Sequence, residues 1–388
     1  MSVGQPTPLT HPHLMGVGEL TPGFSAREYA ERRGRLAEKL PPHSVALLAA
    51  ASPAHLPNTV IPYPAYRQDA DFAYLTGVLQ PGCVAMVARG SDAADCAFAL
   101  FVPPRSERQE TWNGARLCAN AAIEYFGADE AFERGPGTTR EILKRLAGAD
   151  AIFADEDAAR DRFVAAALGT AGVASSRLGA EKTRIKPLRP LVHALRWRKS
   201  RAEIHAMRLS VEADIAGFHA AMRVSAPGVA ERDAAAEHER AVKLFGADRL
   251  AYPSVVGSGA GALVIHYAAM DALMRDGDVL LMDAGCERAG YVSDVTRTLS
   301  VRTVAGSPLL WRMRSSSSPA ASSYMVSSPR WNFVLLTRDG RSRRNIPSID
   351  QPDKNLEMNF PDLTFRSRYA PQRRGPLGRD PRVSRYAP

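Results

Sequence analysis

The chain has 388 residues, 45% hydrophobic and 23% charged, with a formal net charge of +9, which is long enough for two or three domains with cores of their own. No apolar run reaches the roughly 18 residues of a membrane span, and the four cysteines show no CxxC or zinc-type spacing, so they read as reduced, buried thiols rather than a disulfide or zinc framework. The charge is local: Thr303–Pro388 holds fifteen Lys and Arg against six Asp and Glu, while the preceding residues carry 35 of each sign, so the body offers no basic face for nucleic acid.

Residues 1–24, rich in Pro, Gly, Thr and His, read as an extended arm, and their lack of Arg and Lys argues against a mitochondrial presequence. Ser25-Ala-Arg-Glu28 has the form of a capping box and opens a helix whose Tyr29, Leu36 and Leu40 recur at helical spacing until Pro41-Pro42. Val45–Ala50, Val84–Ala88 and Ala97–Val102 read as strands. Tyr66-Arg67-Gln68-Asp69 reads as a turn entering an aromatic strand with Phe72 and Tyr74, and Arg140–Leu146 as a helix. This predicts an α/β domain over 25–186. A second domain over 187–302 opens with another capping box, Ser200-Arg-Ala-Glu203. Its helix carries an apolar stripe of Ile204, Met207, Val211, Ile215, Phe218 and Met222, the expected buried face. A further helix follows from about Glu231 to Phe245. The region 303–388, with ten prolines, fourteen arginines and a Ser315–Ser318 run, reads as poorly ordered apart from one strand candidate at Trp331–Thr337.

The segment Val279–Leu299 concentrates the chemistry. Val279–Ala284 and Tyr291–Leu299 read as strands joined by a polar connection between Gly285 and Gly290. A hairpin centred between Arg288 and Ala289 would set Asp283 directly opposite Asp294, with Cβ atoms roughly 4.5–5.5 Å apart. Like charges so placed destabilise a sheet unless a proton or cation lies between them, and aspartate oxygens suit hard ions such as Mn²⁺ or Mg²⁺. The alternative is that each Asp caps a turn or pairs with an arginine such as Arg297. His266 lies in Val264–Tyr267, which reads as a strand entering the same place, or is an ordinary hydrogen-bonded histidine. Gly257–Gly261 lacks the Lys-Ser/Thr of a phosphate loop and reads as a tight turn or a close backbone approach. No histidine follows His266, and Glu357 is the only glutamate after Asp294.

Several motifs agree with one family. Gln5–Leu14, Arg67-Gln-Asp-Ala-Asp-Phe-Ala-Tyr-Leu-Thr-Gly77 and Glu110-Thr-Trp-Asn-Gly-Ala-Arg116 resemble the N-terminal part of Xaa-Pro aminopeptidases. Leu250-Ala-Tyr-Pro-Ser-Val-Val256, Ile265-His-Tyr267, Met282-Asp-Ala-Gly285 and Ser293-Asp-Val-Thr-Arg-Thr298 are similar to their catalytic domain. Within that family the motifs look like the branch of the mitochondrial aminopeptidase P3 or intermediate-cleaving peptidases. The resemblance covers about residues 5–302 and implies a creatinase-like α/β domain followed by the first half of a pita-bread metallopeptidase domain. It implies two Mn²⁺ ions with a hydroxide between them, peptide substrates with a penultimate proline or unstable N-termini, homo-oligomers, and mitochondrial residence. It makes Asp283 and Asp294 metal ligands and His266 the catalytic imidazole that steadies the oxyanion. One His and two Glu ligands of the family have no counterpart after Val301, and Gly261 stands where the family usually has Asn. The expectation is therefore an impaired or inactive Xaa-Pro aminopeptidase lacking the second half of its catalytic domain, with 303–388 either a genuine end or, as the abrupt change of composition favours, the product of unspliced or frameshifted sequence. The competing expectation is a non-catalytic scaffold that uses its N-terminal domain to associate with full-length relatives; the interleaved Ser and Pro of the tail weigh against nucleic acid as a partner.

Overall fold

The computed structural model describes residues 2–63, 65–155, 161–177 and 185–301; the region after Arg302, with the strand suggested at Trp331–Thr337, lies outside them. The N-terminal segment is tied down rather than a free arm. Glu19–Thr21 (β1) and Phe24–Ser25 (β2) pair antiparallel, and the Gln5 amide donates to the Gly77 carbonyl at 3.0 Å and accepts from the Leu79 amide at 2.9 Å. Helix α1 (Ala26–Lys39) begins where the Ser25 hydroxyl accepts the Glu28 amide, and ends before the two prolines.

A six-stranded mixed sheet forms the first domain, made of β3 (Ser44–Ala49), β4 (Val84–Arg89), β5 (Cys96–Val102), β6 (Glu130–Glu133), β7 (Ala151–Phe153) and β8 (Ile185–Lys186), in the order β6-β5-β4-β3-β7-β8. The period of two in β3 divides the core: Ala46 and Leu48 face α1, while Val45 and Leu47 face the opposite layer with Ile142, Leu146 and Val164. Helices cover both faces: α2 (Ala70–Thr76), α4 (Ala119–Glu124), α5 (Pro136–Ala147), α6 (Arg162–Arg177) and α7 (Arg189–Arg196), while the short α3 (Glu107–Asn113) buries none of its residues. The expected aromatic strand at Phe72 and Tyr74 is α2 instead. Asp69 accepts the Phe72 amide at 2.8 Å and Gly77 closes the helix at φ 70°, so caps at both ends override the β propensity of the two aromatics. All four cysteines are free thiols, and burial pushes that of Cys83 up to about 12.

The second half pairs α8 (Arg201–Val224) with α9 (Glu231–Leu244) over two three-stranded sheets, β10-β11-β14 and β13-β12-β9. These strands are β9 (Arg249–Leu250), β10 (Val255–Ser258), β11 (Val279–Ala284), β12 (Cys286–Arg288), β13 (Tyr291–Val292) and β14 (Val295–Ser300). The capping box at Ser200 is present with both of its bonds. The expected apolar stripe of α8 is mostly outside: Ile204, Met207, Val211 and Ile215 are exposed, and of the expected set Phe218 alone is fully buried. The inward face is instead Glu203, Ala206, Ser210, Ala213, Asp214 and Gly217. Small residues there let α9 and the β12–β13 hairpin approach closely, a packing gain that outweighs the placement of the larger side chains. No helix among the described residues is long and apolar enough to cross a membrane.

Arg32 joins the halves. It is 1% exposed, its guanidinium stacks over Tyr74 at 4.3 Å and over Phe24 and Tyr29 at 5.1 Å, and it donates to the Tyr74 carbonyl and to Glu28 at 3.1 Å each. Glu203 of α8 lies 3.8 Å away, and its Oε1 accepts the Tyr291 hydroxyl at 2.8 Å. Burial holds the Tyr291 phenol well above its ordinary range, so it stays a donor. Arg32→Ala should cost about 3–5 kcal/mol in urea unfolding, because it strands two carboxylates in a dry junction; a loss below about 1 kcal/mol would show that the junction does not depend on it.

Candidate functional site

The aspartate segment is a two-stranded ribbon that changes sheets halfway. Asp283 lies opposite Thr296 and Ala284 opposite Val295, and beyond the break Glu287 lies opposite Val292 and Arg288 opposite Tyr291. The turn is therefore Ala289-Gly290, both at positive φ (51° and 81°), as a two-residue type I′ hairpin requires. Asp283 and Asp294 are consequently not the directly opposed pair expected, and the expected second strand is broken at Ser293–Asp294, outside both β13 and β14. The displacement is two residues, and with a side-chain period of two it leaves both carboxylates able to share a face. On β11 the buried residues Leu280, Met282 and Ala284 alternate with the half-buried Leu281 and Asp283, so Asp283 points away from the helices.

The break depends on Gly285. A Cβ there would stand 2.1 Å from the Ser293 carbonyl oxygen and 3.1 Å from the Tyr252 ring, so only hydrogen permits the crossing. Ser293 seals it: its amide donates to the Cys286 carbonyl at 2.9 Å and its hydroxyl accepts the Cys286 amide at 3.0 Å.

Tyr252 brings the two aspartates together. Its hydroxyl lies 2.5 Å from Asp283 Oδ1 and 2.7 Å from Asp294 Oδ1. Burial first, then these carboxylates, holds the phenol protonated far above its ordinary range. One hydroxyl proton cannot satisfy two anions fully; the Tyr252 oxygen sits where the two carboxylates converge, and a hard cation suits that donor set better than one shared proton. Asp283 and Asp294 thus fit one side of a divalent-cation site. Among the described residues, no group of three or more His, Cys, Asp and Glu could hold a metal.

His266 is not in a strand. It lies exposed in a turn after the short 3₁₀ turn Gly261–Leu263, within a loop held by Glu231, the first residue of α9. The fully buried Glu231 accepts from the Ser258 amide at 2.6 Å, the Ser258 hydroxyl at 2.8 Å, the Tyr267 hydroxyl at 3.0 Å and the Ala272 amide at 3.2 Å. The Gly257 backbone passes so close to Gly261 that a Cβ would lie 2.7 Å from its carbonyl, the close approach expected of that glycine run. Local sequence patterns single out neither Tyr252 nor Glu231. Tyr252 carries a signal only through its motif, and Glu231 resembles any acidic residue in a first helical turn.

The sequence profile of the aminopeptidase P N-terminal domain matches residues 29–153, and that of metallopeptidase family M24 matches residues 205–309. Among curated relatives, the mitochondrial intermediate cleaving peptidase 55 of Arabidopsis thaliana is 38% identical over 298 residues, 76% of this chain and 57% of that protein. Human Xaa-Pro aminopeptidase 3 is 32% identical over 77% of this chain and 60% of its own length. Among solved structures, proline aminopeptidase P II from Yersinia pestis superposes with a TM-score of 0.65 at 32% identity, over 72% of this chain and 63% of that one. Escherichia coli aminopeptidase P with the inhibitor Pro-Leu superposes with the same TM-score at 33% identity. The chain spans about three-fifths of the length of these curated relatives.

Two substitutions test the geometry. Gly285→Ala should destabilise the fold by about 1–3 kcal/mol through overpacking against Ser293; wild-type stability in urea would contradict the crossing described. Tyr252→Phe removes the shared hydroxyl and should lower the melting temperature by several degrees, a deficit that shrinks on addition of Mn²⁺. A deficit that Mn²⁺ leaves unchanged would count against carboxylate repulsion as its cause.

Proposed function

Since the chain belongs to the aminopeptidase P family, with that family's N-terminal domain followed by M24 metallopeptidase sequence, we propose that its site is of the Xaa-Pro aminopeptidase type and acts at the N-termini of peptides. The observation that carries this reading is the convergence of Asp283 and Asp294 on the Tyr252 hydroxyl at 2.5 and 2.7 Å. Asp283 and Asp294 would hold a divalent cation, Mn²⁺ by family resemblance, which polarises a peptide carbonyl and acidifies water. Tyr252 aligns the two carboxylates, Gly285 lets their strands cross, and Glu231 fixes the loop that presents His266 to a developing oxyanion. The name of the Arabidopsis relative places that protein in mitochondria, and the same compartment is proposed for this one.

Turnover by the 388-residue polypeptide is proposed to be weak. Two carboxylates neutralise one divalent ion but leave most of its coordination to water, and no histidine follows His266 in the sequence. The purified chain should bind Mn²⁺ with a dissociation constant on the order of 10⁻⁴–10⁻³ M, comparable to the weakest oxygen-ligated calcium sites, and Asp294→Ala should abolish that binding in calorimetry. Rapid release of the N-terminal residue from an Xaa-Pro peptide in Mn²⁺ would overturn the proposed impairment; Mn²⁺ binding untouched by Asp294→Ala would overturn the site.

One observation favours a second reading, association without catalysis. Ile204, Met207, Val211 and Ile215 form an exposed apolar row on α8, the kind of patch that marks an interface. If it mediates self-association, the wild type sediments as an oligomer and Ile215→Glu as a monomer. A wild-type monomer at all concentrations would dismiss this reading.

A further inference from the structure

We propose that Arg67, in the N-terminal domain, is a positioning residue for the candidate metal site and acts through Glu287; this rests on the reading that Asp283 and Asp294 hold a divalent cation. Glu287 lies on β12, between the two aspartates in the chain, with a side chain only 6% exposed. Arg67 Nε donates to its Oε2 at 2.6 Å, and Arg249 Nε lies 3.8 Å from its Oε1. A carboxylate this buried needs its cations, because an unpaired charge there costs several kcal/mol.

Arg67 offers its guanidinium from a fixed base. On one side the Tyr66 hydroxyl donates to the Ala51 carbonyl at 3.1 Å. On the other, the Gln68 side chain accepts the Ala51 amide and donates to the Val78 and Gln80 carbonyls, and Asp69 caps α2. The backbone around Arg67 is therefore set by the first domain, while its side chain reaches a partner 220 residues away.

The receiving end leads directly to the site. Glu287 pairs with Arg249 and Cys286 with Leu250 across β12 and β9, and the Ala251 amide continues the ladder to the Gly285 carbonyl at 2.9 Å. The next residue is Tyr252, which touches both aspartates. Arg249 also donates to the Tyr66 carbonyl at 2.7 Å, so the motif holding β12 holds β9 as well. Strand β12 carries the crossing between Asp283 and Asp294, and β9 delivers the tyrosine that aligns them. A shift of β12 relative to β9 would separate groups that now converge within 2.7 Å of one oxygen.

Docking alone would explain an interdomain ion pair, but the two roles predict opposite signs. Removing a cation near a cation site tightens metal binding by Coulomb's law, whereas losing the geometry weakens it. Mn²⁺ affinity is to be measured by calorimetry on the full chain, with circular dichroism confirming that each variant is folded. Arg67→Gln should weaken Mn²⁺ binding by up to about 10-fold, the lower end of the effect of a residue bonded directly to a metal ligand. Arg67→Lys keeps the charge but not the Nε–H, and should weaken it to a smaller degree. Glu287→Gln alone should also weaken binding, and added to Arg67→Gln should cause little further loss, because one residue acts through the other. Unchanged or tighter binding in Arg67→Gln, or an additive loss in the double variant, overturns the positioning role while the metal reading stands. A wild type that binds no Mn²⁺ overturns both.

Discussion

Two carboxylate oxygens within 2.7 Å of a single phenol oxygen repel each other, and the second half of the molecule is built so that they cannot separate. The ribbon carrying them would relieve the repulsion by sliding or opening. It is prevented from sliding by the type I′ turn, which fixes register, and from opening by the Ser293–Cys286 bonds across the break. Gly285 is the geometric condition for all of this, because any side chain at that position would occupy the space of the Ser293 carbonyl. Tyr252, Glu287 and Arg249 then bind the ribbon to β9, and through Arg67 to the first domain. The strain of two like charges is thus met by several ordinary interactions, each of modest strength.

Much of this was legible in the sequence, and what was not has identifiable causes. Strands β3, β4 and β5 were readable because both faces of a covered sheet are apolar and the runs are compact, whereas β6, β7 and β8, of four, three and two residues, are too short to show a period. The helices α8 and α9 were readable from Ser200-Arg-Ala-Glu203 and from their length. The inward face of α8 was not, because hydrophobic periodicity assumes that the largest apolar residues are buried. Apart from Phe218, the partners come so close that Ala, Gly, Ser and a few anchored polar groups fill the contact. A turn centred between Arg288 and Ala289 would set Asp283 opposite Asp294, but the positive φ of Ala289 and Gly290 places the turn one residue later and shifts the pairing by two. Phe72 and Tyr74 have the propensity of a strand, but the caps at Asp69 and Gly77 hold them in a helix. The family resemblance rests on motifs, and the profiles and structural relatives agree with it over both halves. The partnerships of Tyr252, Glu231 and Arg67 were invisible, since they span separations of 27 to 220 residues that no local pattern encodes.

The buried polar residues divide into two kinds. Glu231 is an acceptor saturated by four donors, and it fixes a loop. Asp214 and His238 form a completely buried pair at 2.8 Å between α8 and α9, each with a second polar atom that has no partner among the described residues. The first arrangement is fully satisfied and rigid; the other fixes how the helices cross at some cost in solvation.

The Arg32 junction makes temperature matter in an uneven way. Its guanidinium is dehydrated among three aromatic rings and two carboxylates, and the penalty for dehydrating ions falls as temperature rises. The apolar surface that closes over it, Phe24 against Tyr291 at 5.3 Å, loses driving force on cooling. Both effects favour the closed junction in warmth and loosen it in the cold, so the two halves are held together by a contact that is inherently cold-sensitive.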